Sequence, residues 1–259
     1  YSVSAEQIVI EAGNESGNVI FSGLQDNVIE GTETIIVQIS NAQDVLLVSE
    51  TQIEISLLDD DVDTDEDGIP DNVDSCPEQS GFAEYDGCLY PRIIINEVLY
   101  DPSNQGLNGD ANGDEFYAQN DDEFIEFYNL GSQTVDISGF TISDATQLRH
   151  VFPEGTLVPS HSVLVLFGGG NPTGDFGGAT VQIASEGLLN MNNAGDLVTF
   201  ADSDGNTVLT FDVEPLSNNP NESYSRNPDL TGEFEQHAGI PEANGALFSP
   251  GTRTDGSSF

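Results

Sequence analysis

The sequence predicts an all-β protein, a β-sandwich architecture interrupted by one irregular acidic segment. Three observations predict it. Short runs of β-branched and aromatic residues alternate with polar ones at a period of two, and no 3.6-residue periodicity competes. Turn formers separate these runs at short intervals, the spacing of a sandwich rather than of βαβ units. Both signals stop between residues 62 and 90, where Ile69, Val73, Phe82 and Leu89 are too few to build a core. The chain therefore divides into residues 1–61, 62–90 and 91–259.

Within residues 1–61 the strand candidates are 8–10, 18–21, 34–39 and 53–58. Four or five strands make half a sandwich, since a complete one takes about 100 residues. Two acidic stretches flank the later strands: Asp26-Asn27-Val28-Ile29-Glu30-Gly31-Thr32-Glu33 and Asp59-Asp60-Asp61. With the strand between them they resemble the C-terminal half of a Calx-β domain, a calcium-binding sandwich of sodium/calcium exchangers and surface proteins. The resemblance implies that Asp26, Glu30, Glu33, Asp59, Asp60 and Asp61 meet at one tip and hold Ca2+. Without a cation such a tip would repel itself. The competing reading is a set of ordinary solvated turn residues.

Residues 63–77 read Asp-Thr-Asp-Glu-Asp-Gly-Ile-Pro-Asp-Asn-Val-Asp-Ser-Cys-Pro. Counting from Asp63, carboxylates stand at positions 1, 3, 5, 9 and 12 (Asp63, Asp65, Asp67, Asp71, Asp74), with Gly68 at 6. A hard cation takes about 6–8 oxygens at roughly 2.3–2.6 Å, so the backbone must curl tightly and turn alternate side chains inward. Gly68 permits the sharp turn, and Ile69 offers a carbonyl at position 7. A solvated acidic linker would not require this spacing together with the central glycine. The run resembles the thrombospondin type 3 repeat, over about one and a half repeats between residues 62 and 90. That family wraps irregular backbone around calcium and pins it with disulfides. Cys76 and Cys88, the two cysteines, lie twelve positions apart. An acidic, lysine-free chain of calcium type reads as exported, so a disulfide between Cys76 and Cys88 is expected; the competing reading is two free buried thiols. Two sulfurs without a nearby histidine do not make a zinc site.

Residues 91–259 carry eight strand candidates: 93–95, 124–128, 135–137, 141–142, 162–167, 180–183, 197–200 and 207–211. Turns at 168–172, 192–195 and 204–205 separate them. The order Ile95-Asn96-Glu97-Val98, Asp122-Glu123-Phe124-Ile125-Glu126, Ile137-Ser138-Gly139-Phe140-Thr141-Ile142-Ser143-Asp144, Phe152-Pro153 and Ser249-Pro250-Gly251-Thr252 resembles the lamin tail domain. The resemblance implies an immunoglobulin-like β-sandwich, preceded here by a partial β-sandwich and an irregular calcium-binding linker. A second loop at 110–121 places Asp110, Asn112, Asp114 and Asp121 at positions 1, 3, 5 and 12, with the Phe116 carbonyl at 7. It departs from the pattern at position 6, Glu115 for glycine, and at 9, Ala118, where water can stand in. The competing reading is an acidic insertion.

Composition prunes the functions. The net charge is −42, with 46 acidic residues against four arginines and no lysine. No basic face can neutralise phosphates, which excludes nucleic acid, and anionic membrane surfaces repel the chain. No apolar run approaches the ~20 residues that span a bilayer. Lysine-dependent phosphate loops and Schiff-base chemistry are excluded. His150, His161 and His237 are dispersed, the nucleophile-elbow and zincin motifs are absent, and the glycines at 168–170 read as a loop tip. No catalytic residues are expected. Tyr1 is not an initiator and no signal peptide opens the chain, so it reads as an internal piece of a longer exported protein. The expected function is that of a calcium-binding, non-catalytic structural and adhesive segment at the cell surface. Its expected partners are calcium ions, neighbouring domains, and a surface polymer or another surface protein. The rival is an accessory module tethering an exported nuclease or phosphatase whose catalytic domain lies elsewhere.

Overall fold

Sixteen strands, one α-helical turn and five short 3-10 turns make up the regular structure among the described residues of the computed structural model, which are 1–39, 41–43 and 52–259. They fall into two units, residues 1–81 and 82–259. Among the described residues no helix is long and apolar enough to cross a membrane.

The first unit holds two antiparallel pairs. β1 (Ser2–Val3) pairs with β2 (Phe21–Ser22), and β3 (Glu33–Gln38) with β4 (Gln52–Leu57) in a six-residue register from Glu33↔Leu57 to Gln38↔Gln52. The strand expected at 8–10 is corrected: Ile8, Val9 and Ile10 are irregular and 49–63% exposed. The reason is the missing partner, because β-branched residues prefer a strand only where a neighbouring strand takes their hydrogen bonds. Among the described residues of this unit only Pro70 is buried. A two-stranded ribbon without a second layer leaves its apolar side chains in water, Ile36 at 60% and Ile53 at 53% exposure.

The second unit is a sandwich. Its strands are β5 (Ile93–Leu99), β6 (Phe124–Asn129), β7 (Val135–Asp136), β8 (Thr141–Ser143), β9 (Leu148–Val151), β10 (Leu157–Val158), β11 (Val163–Phe167), β12 (Thr180–Ile183), β13 (Leu197–Ala201), β14 (Thr207–Asp212), β15 (Tyr224–Asn227) and β16 (Glu233–Gln236), with α1 (Gln119–Asp122) between β5 and β6. One sheet runs β12-β11-β6-β5-β15-β16, antiparallel except for the parallel β11–β12 edge, and the other runs β14-β13-β8-β9. The two inner faces meet in an aromatic core, where Phe200 packs against Phe127, Phe140 and Phe152 at centroid distances of 5.4, 5.4 and 5.8 Å. Edge-to-face and tilted ring pairs of this kind add to plain area burial.

The central strands of the six-stranded sheet, β5, β6 and β11, are buried on both faces. In β11 Leu164 and Leu166 point into the inter-sheet core, while Val163, Val165 and Phe167 point into a second cluster with Leu99, Phe124 and Tyr128. That outer cluster is covered by Phe176, Leu230, Phe248 and Phe259. Residues 82–90 also belong to this unit. Tyr85 packs on the inter-sheet core, and Asp86 accepts bonds from Ser132 N at 2.8 Å and Ser132 Oγ at 2.5 Å. Cys76 and Cys88 are both disulfide-bonded.

Candidate metal centre

The loop from Asp63 to Asp74 has no regular structure, and its own carboxylates bend it. Glu66 N and Gly68 N donate to Asp63 Oδ1 and Oδ2 at 2.8 and 3.0 Å. Asp67 N donates to Asp65 Oδ1 at 3.2 Å, and Ile69 N to Asp67 Oδ1 at 2.9 Å. The turns need left-handed backbone at positions 4 and 6, supplied by Glu66 (φ 63°) and Gly68 (φ 94°). Side chains alternate as the spacing predicts: Asp63, Asp65, Asp67 and Ile69 are half-buried, while Thr64, Glu66 and Gly68 are exposed.

Asp63, Asp65 and Asp67 bring one carboxylate oxygen each within 4.8 Å of one another. Burial first, and then the charges of Asp67, Asp74 and Asp63, raises the pKa of Asp65. Two carboxylate oxygens of the loop, Asp65 Oδ2 and Asp74 Oδ2, are buried and accept no hydrogen bond. Their second oxygens are engaged, by Asp67 N and by Cys76 N at 2.6 Å. A buried acceptor without a donor is costly unless a cation answers it. Asp71 is occupied otherwise, both oxygens taking Thr64 N and Oγ1 at 2.8 and 2.6 Å, so its position 9 contact would run through water. These residues fit a hard, oxygen-bound cation such as Ca2+.

The loop at 110–122 repeats this local geometry. Asp114 N donates to Asp110 Oδ1 and Asn112 Oδ1 at 3.1 and 3.0 Å, Glu115 N to Asp110 Oδ2 at 2.9 Å, and Phe116 N to Asp114 Oδ1 at 2.9 Å. Left-handed residues again stand at positions 4 and 6, here Gly113 (φ 70°) and Glu115 (φ 69°). The end of the loop differs from the sequence expectation. Asp122 is the acid turned inward: its fully buried carboxylate accepts Ala111 N, Asn112 N and Ala118 N at 2.9, 3.2 and 2.8 Å. Burial pushes its pKa up to about 6. Asp121 lies instead beside Gly169, where an added Cβ would collide with its carboxylate. The glycines at 168–170 thus serve close packing against this loop.

In the first unit Asp26, Glu30, Glu33, Asp59, Asp60 and Asp61 line a single open cleft of about 440 Å³. Glu30 N donates to Asp59 Oδ2 at 2.5 Å, and Gln25 Nε2 to Asp60 Oδ1 at 3.0 Å. Burial and then Asp59, Asp60 and Asp26 raise the pKa of Asp61. The carboxylates share one cleft, but those of Asp59 and Asp60 are partly engaged by protein donors.

The sandwich that carries the second loop has relatives. Residues 90–214 match the Lamin Tail Domain family model. The match takes in β5 to β14 of the sandwich, leaving β15, β16 and the closing segment beyond it. No curated protein matches the chain.

Sequence reading missed the polar interior of the sandwich. His237 Nδ1 lies 2.7 Å from Ser225 Oγ and 3.6 Å from Glu97 Oε1, with His237, Ser225 and Glu97 all 0% exposed. A nucleophilic relay needs serine and acid on opposite ring nitrogens and a hydroxyl open to substrate. Here both sit at Nδ1 behind a closed surface, so the cluster is structural. The only sequence signal was an acid inside each of two apolar strands, Glu97 and Glu126. Alternation makes such acids look solvent-facing when the second face of the sheet is assumed to be open.

Proposed function

We infer that this chain is a calcium-ordered, non-catalytic structural segment of an exported, surface-attached protein. The observation that carries the reading is the pair of buried, unanswered carboxylate oxygens, Asp65 Oδ2 and Asp74 Oδ2, at positions 3 and 12 of the linker loop. Asp63, Asp65, Asp67, the Ile69 carbonyl, Asp71 and Asp74 are the proposed ligands, with the 110–122 loop as a second site of the same type and the acidic cleft at Asp26, Glu30, Glu33 and Asp59 to Asp61 as a third. An immunoglobulin-like sandwich presents surface rather than chemistry, which suits adhesion to a surface polymer or a neighbouring surface protein. In this reading calcium turns the acidic linker from a self-repelling tether into an ordered spacer.

Calorimetric titration of the whole chain with calcium tests this. The Asp67→Ala, Asp74→Ala double variant removes two inward carboxylates and should bind one ion fewer than the native chain. Equal stoichiometry in the two proteins would sink the assignment.

A further inference from the structure

The outer face of the six-stranded sheet buries two acids against each other. β5 carries a bulge between Ile95 and Glu97, and beyond it Glu97 stands opposite Glu126 of β6. The bulge sets two residues against one, so Asn96 also reaches Glu126, its Nδ2 donating to Oε1 at 2.9 Å. Glu97 and Glu126 are both 0% exposed.

Their remaining oxygens hold the closing segment of the chain. Ser249 N and Oγ donate to Glu97 Oε1 and Oε2 at 2.9 Å each, and Gly251 N to Glu126 Oε2 at 2.7 Å. Ser223 Oγ also donates to Glu97, and Ser223 N ties to Leu247 O at 2.9 Å. Residues 247–251 are thus tied to the sheet through these two carboxylates, while Thr254 N and Oγ1 donate to Asp229 at 3.4 and 3.1 Å.

No cation balances the pair. The chain has no lysine, and its four arginines are engaged elsewhere. Arg92 lies by Asp86, Arg149 by Asp144, and Arg253 over the Phe259 ring. Arg226 donates to Ile95 O and Gly232 O at 2.8 Å each. His237 faces Glu97, but its buried Nε2 has no partner. Its Nδ1 is hydrogen-bonded to Ser225 Oγ at 2.7 Å, which leaves no ring nitrogen within hydrogen-bond reach of Glu97. The other acid that acts on Glu126 is Asp229, which only adds repulsion. Two full negative charges at this depth would lose hydration and repel each other.

We propose that Glu126 keeps its proton beside Glu97 and that the two carboxyl groups form a pH-released latch on residues 247–254. Burial, then the neighbouring Glu97, holds the Glu126 carboxyl well above its ordinary value of 4.5. A carboxyl raised in the folded state stabilises fully below its unfolded value, and the stabilisation is lost as pH rises through the folded one. The latch is therefore closed in acid and loosens toward alkaline pH, when the second charge forms beneath Ser249 and Gly251.

Amide exchange by NMR on the whole chain at fixed calcium tests the latch. Protection of Ser249 and Gly251, corrected for intrinsic exchange, should fall by up to about tenfold per pH unit once Glu126 ionises, at a pH above the ordinary carboxylate range. Protection of Leu166 in β11 should not follow it, and in Glu126→Gln, which stays uncharged, the Ser249 and Gly251 values should stay flat. Flat protection in the native chain would overturn the proposal. If Glu126→Gln fails to fold, carboxyl ¹³C titration of the native chain decides: ionisation of Glu126 together with the loss of protection supports the latch, and ionisation in the ordinary carboxylate range overturns it.

Discussion

At the scale of single residues, the two acidic loops are distinguished by what occupies their left-handed positions. Positions 4 and 6 hold Glu66 and Gly68 in the first loop, Gly113 and Glu115 in the second, all at φ between 63° and 94°. A non-glycine residue there costs about 1–2 kcal/mol, partly offset by the chain entropy that glycine loses on folding. Glu115 is exposed, so Glu115→Gly should stabilise the chain by about 0.5–1 kcal/mol. Gly113→Ala should do the reverse and cost more, because its Cβ would fall 2.7 Å from Gly174 Cα as well as sitting at a strained φ. Urea unfolding in calcium measures both, and a destabilised Glu115→Gly would show that the strain account of position 6 is wrong.

At the scale of elements, short turns between strands of the sandwich are held by buried side chains rather than by turn propensity. Asn129, at the end of β6 and 0% exposed, donates through Nδ2 to Gln133 O, Val158 O and Pro159 O at 2.8, 3.0 and 3.1 Å, and accepts Gly131 N at 2.8 Å. One amide thus joins β6 to the connections around β7 and β10. Asn129→Asp replaces the donor with a charge facing three carbonyls, and should cost about 2–4 kcal/mol at neutral pH. Lowering the pH should recover part of that loss, since a protonated carboxyl donates once. A thermal midpoint equal to that of the native chain would show that these carbonyls do not depend on the amide.

At the scale of the whole molecule, the charge of −42 works against compactness, and the acids outnumber any plausible set of ligands. Calcium that binds only the folded chain stabilises it by RT ln(1 + [L]/Kd), about 2.7 kcal/mol at a hundredfold excess over Kd. The melting temperature should therefore rise with calcium beyond the rise produced by sodium at matched ionic strength. Identical melts in calcium and in chelator with sodium would remove the calcium reading of both loops.

Periodicity was enough to determine the all-β class, since two-residue alternation in β4 and β13 survives any packing partner, and the apolar run of β11 is too short for a buried helix. The linker loop was equally legible: its turns are closed by its own aspartates, so spacing along the chain dictates geometry. β15 and β16 were not legible, because Tyr224–Asn227 and Glu233–Gln236 are polar and become strands only by adding to the edge that β5 offers. Nor was the choice between Asp121 and Asp122, which turns on where a single helical turn, α1, directs each carboxylate. The buried pair Glu97 and Glu126 depended on tertiary structure most of all. Whether an acid in a strand meets water or another acid is decided by what covers the sheet, and the cover, residues 247–254, lies more than a hundred positions away in the chain.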